Sequence, residues 1–532
     1  MRNSFVKLFV VLLLFSSINY FWLSHDTIPP AWDESVHLMS AMKYHAVIAD
    51  FVERSDFSGG AKFRLLKQLV LVDRSVYTPL FPFLASFTIF FWGSSADSLT
   101  MANIPFVGIL LFALYQIGRK IHNEESGVLS GLIVLFYPMV VGLSRAFMLD
   151  FPLLAMSALS LYFLLYSERF ENRAYSILFG ISFGLGMLTK PAFLTFVIVP
   201  LGYVACLAVF GIFQSDLKPW GRLRCLSRLL IPLAVGVLVA GLWYGPNFKP
   251  FMFYSKAVSS MGADVFDVNS ILYYLDAMMV YQTGLPFFAL FVFGLLRLNK
   301  HVNKQDAWLL LLWGLSTYLI QTFVPHKTAW QDIGILLPVC VVSAIGISSL
   351  GRWRKLAIGL VGLVGLLQFL SFSLPEPVFA DGLGKFEWAY DCADCCRARP
   401  PKKEDWKIEE ALRSLGNEEI KVGVLSDHPS INGQTFVYYA RELDLPFQIV
   451  KCRDHFDDFV ENLFTYDFVI VKSDWVPVTG LRGNPFVRKD VESMLMKHFQ
   501  DSVHNFSLFQ NLPLPDGSDM LVYKQYAQGE GG

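Results

Sequence analysis

Long apolar runs separated by short polar loops dominate the first 374 residues of this chain. Eleven of these runs approach the length of about 20 residues that an α-helix needs to cross a bilayer. They cover residues 6–24, 100–118, 126–144, 151–167, 174–189, 191–212, 228–246, 272–296, 307–324, 331–350 and 355–373. The pattern therefore predicts an α-helical polytopic membrane protein.

A twelfth apolar run, residues 79–92, is shorter and contains Pro79 and Pro82. The orientation of membrane proteins follows the Lys and Arg of their short loops, which stay in the cytoplasm. Five basic loops fall on one side if residues 79–92 do not cross, namely those around residues 119–120, 169–173, 218–228, 297–304 and 352–355. The charge pattern therefore predicts an interfacial or re-entrant helix at 79–92.

The first run starts after basic residues and ends in bulky aromatic ones, without the small residues of a signal-peptide cleavage site. We therefore expect an uncleaved first helix with its N-terminus in the cytoplasm. This topology places residues 25–99, residues 247–271 and everything after 374 outside. It divides the chain into a membrane domain, 1–374, whose first outer loop is 25–99, and an extracytoplasmic tail, 375–532.

The tail alternates two kinds of segment, which predicts a compact α/β domain. Strand-like runs cover residues 420–425, 466–471 and 520–523, and helical stretches cover 404–415, 435–442 and 485–499. Four cysteines lie on this side of the membrane, namely Cys392, Cys395, Cys396 and Cys452. Disulfides are the simpler interpretation in an oxidising compartment, and a zinc site is the alternative.

Composition supports the membrane interpretation. Of the 532 residues, 54% are hydrophobic and only 17% are charged, against roughly 25% charged residues in an average soluble domain. The net charge of −1 gives no reason to expect nucleic acid as a partner. The expected surroundings are membrane lipids.

Polar residues gather at the outer ends of the predicted spans, in four clusters. Residues 29–37 contain Asp33 and His37, and residues 144–152 contain Arg145 and Asp150. The other two clusters are centred on Lys190 and on the pair His326 and Lys327. Each has an ordinary explanation by itself, because Asp commonly caps helices and Lys snorkels to the membrane interface. Their location at one depth on one face favours a functional site.

Carboxylates and cations in an extracytoplasmic cleft suit transfer from a lipid-linked phosphate donor. A carboxylate can deprotonate an attacking hydroxyl or hold a divalent metal ion. Cations can stabilise a departing phosphate. The sequence contains no Walker A or Rossmann glycine pattern that would hold a soluble nucleotide.

The order of these motifs resembles the GT-C membrane glycosyltransferases, in the branch of the protein O-mannosyltransferases and lipid A aminoarabinose transferases (glycosyltransferase family 39-like). The matching segments are Trp32-Asp33-Glu34, residues 77–81, Arg145 with residues 148–150, residues 184–190, and residues 326–327 with 336–338. The resemblance covers residues 1–350. It implies a GT-C-like fold, a polyprenyl-phosphate sugar donor and inverting transfer on the extracytoplasmic face.

The resemblance also implies roles for individual residues. Asp33, with Glu34 and Asp150 as further candidates, matches the catalytic carboxylates, with Asp33 as base or metal ligand. A divalent ion would be held by Asp33 and Asp150. The donor phosphate would meet Lys190, Arg145, His326 and Lys327, and His37 and Tyr77 would line the substrate cleft.

The acceptor stays open, because Val76 and Tyr77 depart from the patterns of both the aminoarabinose and the protein mannosyl branches. The acceptor is an envelope lipid, a glycan or a protein. Two alternatives to an enzyme are a non-catalytic scaffold of a cell-envelope assembly and a lipid or solute transporter. The C-terminus carries no ER-retention signal, which favours a bacterial inner membrane.

Overall fold

The structure, a computed structural model, describes residues 2–55, 58–72, 77–214, 218–259, 265–325, 327–375, 397–451, 463–473 and 503–526. Helices fill the first part of the chain. They are α1 Arg2–Leu23, α2 Trp32–Glu53, α3 Gly59–Leu71, α4 Leu80–Ala85, α5 Ile89–Trp92, α6 Ala96–Thr100, α7 Asn103–Ile121, α8 Glu124–Phe136, α9 Pro138–Ser144, α10 Asp150–Tyr166, α11 Arg173–Met187, α12 Phe193–Gln214, α13 Pro219–Ser259, α14 Val268–Ala277, α15 Leu285–His301, α16 Lys304–Thr322, α17 Leu336–Ser348 and α18 Arg354–Ser371.

Each of the eleven predicted runs coincides with one helix or with consecutive helical pieces. By length and apolar composition, five of the described helical segments could each cross a membrane, or seven if each of two bent helix pairs counts as one span. The run at 79–92 forms the short helices α4 and α5 rather than one continuous helix. The helical membrane architecture is confirmed, while the number of spans and their orientation remain predictions.

The two bends have local causes. Tyr137 is extended (φ −68°, ψ 125°) because Pro138 follows it, and the axes of α8 and α9 differ by 71°. Gly284 takes φ +77°, a value that favours glycine, directly before α15. The helix before it ends in a π-helical turn, Met278–Gln282, and the direction changes there by 117°. Both bends interrupt spans that the hydrophobic pattern alone shows as continuous.

The helices differ in what covers them. In α10 and α17 nearly every side chain is buried, so these helices form the centre of the bundle. In contrast, α13 exposes Leu230, Val237 and Leu238, each by more than 60% of its surface. A stripe of exposed Leu and Val on a long apolar helix is a surface suited to lipid.

The tail contains the predicted α/β fold. Its described helices are α19 Ile408–Ser414 and α20 Gly433–Glu442, and its strands are β1 Lys421–Val424, β2 Gln448–Lys451, β3 Phe468–Lys472, β4 Phe506–Pro513 and β5 Asp519–Gln525. They form one sheet in the order β2-β1-β3-β5-β4. Strand β1 is parallel to β2 and β3, whereas β5 is antiparallel to β3 and β4.

The structure differs from the sequence-based prediction of the tail in its strands, and two further parts of that prediction fall outside the described residues. The sheet includes β2 and β4, which the strand-like runs did not mark. The helix expected at 485–499 and the cysteines Cys392, Cys395, Cys396 and Cys452 lie outside the described residues. Helix α20 packs on α2 of the membrane domain, and its Tyr438 joins the hydrophobic core of the helical bundle. The tail is therefore docked on α2, within residues 25–99.

The crossing of α7 and α8 depends on two glycines. A Cβ atom added at Gly127 would lie 2.3 Å from the carbonyl oxygen of Tyr115, and one at Gly118 would lie 2.8 Å from the Cα of Gly127. Backbones approach this closely only where side chains are absent.

We expect Gly127→Ala to lower the free energy of unfolding by about 1–3 kcal/mol, because the helices must separate to admit the methyl group. The thermal unfolding midpoint of the detergent-purified protein measures this effect. Gly202→Ala is the matched control, since a Cβ atom there meets no atom within 4 Å. Equal midpoints for the two variants would show that the crossing is looser than described.

Candidate active site

The carboxylate of Asp33 lies at the beginning of α2 beside an aromatic pair. Asp33 is exposed, and the Tyr77 hydroxyl donates a hydrogen bond of 2.9 Å to its Oδ1. One helical turn later, the buried His37 packs its ring edge-on against the ring of Tyr77, with centroids 4.5 Å apart. Three of the predicted residues thus form one contiguous group.

A second carboxylate, Asp150, is the first residue of α10 and holds a lysine. The Lys190 ammonium donates to both oxygens of Asp150, at 2.7 and 2.9 Å. The Asp150 side chain is only 1% exposed, whereas that of Lys190 is 25% exposed. The ion pair is therefore buried on the carboxylate side and open on the ammonium side.

The two groups lie at one site. The backbone N–H of Leu80 donates to the carbonyl of Leu188 at 2.9 Å, which ties the segment after Tyr77 to the turn that carries Lys190. The first turn of α2 is also tied to the segment before Asp150, because Glu34, next to Asp33, accepts a hydrogen bond from the backbone N–H of Phe147. The structure therefore brings together Asp33, His37, Tyr77, Asp150 and Lys190.

Glu34 points into the protein interior instead. Its Oε1 accepts a hydrogen bond of 2.8 Å from the backbone N–H of Phe147, and its Oε2 forms an ion pair of 3.0 Å with Arg397. Both charged side chains are only 6% exposed. Glu34 therefore joins α2 to the segment before Asp150 and to the tail.

Arg145 is also buried, between the first and last helices of the bundle. It donates to the Asn19 side chain at 2.9 Å, to the Phe372 carbonyl at 2.7 Å and to the Ser373 hydroxyl at 2.5 Å. Its guanidinium lies 5.2 Å from the centre of the Trp22 ring. These contacts attach α9 to α1 and α18, and they do not bring Arg145 to Lys190.

Lys327 is bonded to the end of another helix. Its ammonium donates to the carbonyls of Thr322 and Val324, at 2.5 and 3.1 Å, where α16 ends. The ring of Tyr274 lies 5.4 Å from the same nitrogen. This is the place where a cation complements the dipole of a helix. His326 lies outside the described residues.

Several buried polar residues were not predicted from the sequence. Asp332 is fully buried and accepts a hydrogen bond of 2.5 Å from Gln282. Arg399 forms a buried ion pair of 2.6 Å with Asp26, and its backbone carbonyl accepts a bond from the Trp22 indole. Asp332 had one sequence signal, since it ends the polar loop after His326. The pairing of Arg399 with Asp26 had none, because 373 residues separate the two.

The residues at this site offer few ligands to a divalent metal ion. No group of three or more His, Cys, Asp or Glu side chains that could hold a metal occurs in the part of the chain that the structure describes. Asp33 and Asp150 are two carboxylates, and both oxygens of Asp150 already accept bonds from Lys190. These two residues alone do not complete a metal site.

Comparison with known proteins supports the fold and one region of the sequence. The sequence model of the family described as dolichyl-phosphate-mannose-protein mannosyltransferase matches residues 76–231, which contain Tyr77, Asp150 and Lys190. The search of curated protein sequences gave no significant match.

Solved structures match over the whole chain. The crystal structure of ArnT from Cupriavidus metallidurans bound to undecaprenyl phosphate has a TM-score of 0.60 at 12% identity and covers 98% of both chains. The apo structure of the same protein gives 0.59 at 13% identity, with 99% of both chains covered. The arabinofuranosyltransferase AftD from Mycobacteria gives 0.51 at 12% identity and covers 98% of this chain and 40% of its own. The GT-C fold is therefore confirmed, and with it the resemblance inferred from the motifs.

We expect Arg145→Met to destabilise the protein strongly, because it removes the charged donor of three buried hydrogen bonds, at about 1–3 kcal/mol each. The thermal unfolding midpoint of the purified variant measures the loss. Arg173→Met removes an exposed arginine at the beginning of α11 and is the matched control. An Arg145→Met protein as stable as the control would contradict the structural role of Arg145.

Proposed function

We propose that this chain is a GT-C glycosyltransferase that moves a sugar from a polyprenyl-phosphate donor to an extracytoplasmic acceptor with inversion. One observation carries the proposal: hydrogen bonds tie together the segments that carry the exposed carboxylate of Asp33 and the half-open Asp150–Lys190 ion pair. A base and a phosphate-binding cation are the two groups that this transfer needs from the protein.

Lys190 is the group that we assign to the donor phosphate. An ammonium has three N–H donors, and Asp150 takes two of them. The third is free to meet a phosphate oxygen on the exposed side of the ion pair. Asp150 then holds the ammonium in place, and together with Asp33 it repels an anion that enters in another position. The undecaprenyl phosphate bound in the similarly folded ArnT crystal structure supports this class of donor.

Asp33 is the group that we assign as the base. Tyr77 bonds its Oδ1, which leaves Oδ2 to receive a proton. The acceptor oxygen attacks the anomeric carbon and its proton passes to Asp33. The bond between that carbon and the phosphate oxygen breaks, and the electron pair leaves with the polyprenyl phosphate beside Lys190. Attack opposite the leaving group inverts the anomeric configuration.

The remaining predicted residues take supporting roles in this proposal. Glu34 was a candidate catalytic carboxylate, but its two oxygens are bonded within the interior. We assign it, with Arg145 and Lys327, to holding the helices around the site. His37 supports the ring of Tyr77 and lines the cleft.

The proposal includes a location. The site lies at the end of the bundle to which the tail is docked, and the basic loops predict that this end faces away from the cytoplasm. The N-terminus then lies in the cytoplasm. The membrane is a bacterial inner membrane. The acceptor is an envelope lipid, a glycan or a protein that reaches this face.

Asp33→Asn should reduce sugar transfer by about 10²–10⁴-fold, because the amide has no basic oxygen to take the acceptor proton. Native mass spectrometry of the purified protein first identifies the co-purified lipid and its sugar. Transfer is then followed with that lipid, radiolabelled in the sugar, and membranes of the host as the acceptor. Asp50→Asn is the control, since Asp50 lies near the other end of α2 in an exposed pair with Arg54. Normal transfer by Asp33→Asn would refute the assigned base.

Lys190→Ala should release the polyprenyl phosphate, because the ligand loses its cation while Asp150 keeps its negative charge. The measurement is the fraction of protein that retains undecaprenyl phosphate in native mass spectra after the lipid is added back. Lys120→Ala is the control, since Lys120 forms an exposed ion pair with Glu168. Retention of the lipid by Lys190→Ala at the wild-type fraction would refute the assignment of Lys190.

A further inference from the structure

The backbone directly before the proposed base is strained. Trp32 has a φ of +25°, in a region that bulky residues rarely adopt, and Asp33 is the next residue. Such a conformation persists only where surrounding contacts fix it, and strain of this kind concentrates at functional sites. The contacts that fix Trp32 therefore bear on the position of Asp33.

Those contacts come from the tail. The Trp32 indole N–H donates a hydrogen bond of 2.7 Å to Oδ1 of Asp427. Two residues earlier, the Pro30 carbonyl accepts bonds of 2.8 Å from the Thr435 hydroxyl of α20 and from the Ser35 hydroxyl of α2. The tail thus bonds both the side chain of Trp32 and the backbone that leads into it.

The tail also holds the residue on the other side of Asp33. Glu34 is paired with Arg397, whose guanidinium lies 6.0 Å from the centre of the Trp22 ring. Asp26, at the beginning of the same loop, is paired with Arg399. The guanidinium of Arg399 lies 5.3 Å from the centre of the same Trp22 ring. Asp33 is therefore flanked by two residues that are each bonded to the tail.

We propose that the C-terminal domain positions the catalytic base: Asp427 through Trp32, and Arg397 through Glu34, hold the first turn of α2 so that Asp33 faces Lys190. Both are positioning residues, and neither contacts the reacting atoms. The role assigned to Asp33 rests on the proposed function, whereas the restraint on α2 does not.

The test compares variants of the full chain in detergent, in two measurements. The first is hydrogen–deuterium exchange of a peptide that spans residues 30–40. It reports the backbone N–H groups of Glu34 and Ser35, which bond the carbonyl of Ala31. The second is turnover and KM for the labelled polyprenyl-phosphate sugar. The variants are Asp427→Ala, Asp427→Asn, Trp32→Phe and the double variant Trp32→Phe with Asp427→Ala, and the control is Glu418→Ala, which removes an exposed carboxylate of the same domain.

We expect Asp427→Ala to raise exchange in residues 30–40 and to lower turnover about 10- to 100-fold with an unchanged donor KM, because the base is displaced while the phosphate site is intact. Exchange in α20 should stay at the wild-type rate. Asp427→Asn should retain activity, since its amide oxygen still accepts the indole N–H. The double variant should lose no more than the larger single effect, because both changes remove one bond.

Wild-type exchange and turnover in Asp427→Ala, or additive losses in the double variant, would overturn the proposal. If exchange rises in α20 as well, Asp427→Ala has loosened the domain itself. Trp32→Phe then gives the test, because it leaves the domain unchanged, and wild-type exchange and turnover in that variant would overturn the proposal. If the wild-type protein transfers no sugar but exchange responds as expected, the proposed function fails and the restraint on α2 stands.

Discussion

Buried charge has to be neutralised, and this constraint shapes the end of the molecule that carries the candidate site. Three of the buried carboxylates there each form an ion pair with a cation from another part of the chain. Asp150 meets Lys190, Glu34 meets Arg397, and Asp26 meets Arg399. Removing one partner of such a pair costs about 3–5 kcal/mol, because the remaining charge has no compensation. The pairs therefore fix which loops lie together.

The three pairs differ in the exposure of the cation, and this difference separates the structural pairs from the candidate binding pair. The Glu34 and Asp26 pairs are enclosed on both sides, because the carboxylate and the guanidinium of each pair are buried. The Asp150 pair is open on the side of Lys190. An exposed ammonium beside a buried carboxylate can bind an additional anion, whereas an enclosed guanidinium cannot. Exposure of the cation is thus what distinguishes a candidate binding group from a structural one.

This distinction explains which parts of the site the sequence could predict. The helices follow from apolar runs, because helical hydrogen bonds are local and a span has a minimum length. Asp33, His37, Asp150 and Lys190 could be grouped because the sequence places all four at the same membrane face, whereas Tyr77 was added only by the resemblance to a known family. Arg145 and Lys327 belong to the same pattern and were grouped with them, yet they bond helix ends and neighbouring helices. Residue type and membrane depth do not indicate which hydrogen-bond acceptors a side chain can reach in the folded protein.

Other features required partners that are distant in the chain. Arg397 and Arg399 lie more than 360 residues after the carboxylates they pair with, and no local pattern encodes such a contact. Strands β2 and β4 lie at the two edges of the sheet, where one neighbour is missing and the hydrophobic pattern is weaker. The formation of each of these two strands depends more on the assembled sheet than on the strand's own residues.

The distance between the paired residues has a consequence for synthesis of the protein. Ribosomes add about 5–20 residues per second, so the partner of Asp26 is made roughly 20–75 seconds after Asp26 itself. Throughout that interval the loop that carries Asp33 has neither of its two arginines and no contact with α20. A nascent or truncated chain that lacks the tail therefore has a first loop without these restraints. Synthesis of the tail, residues 375–532, is therefore the step that completes the site, and a chain that ends before it lacks the contacts that hold the first turn of α2.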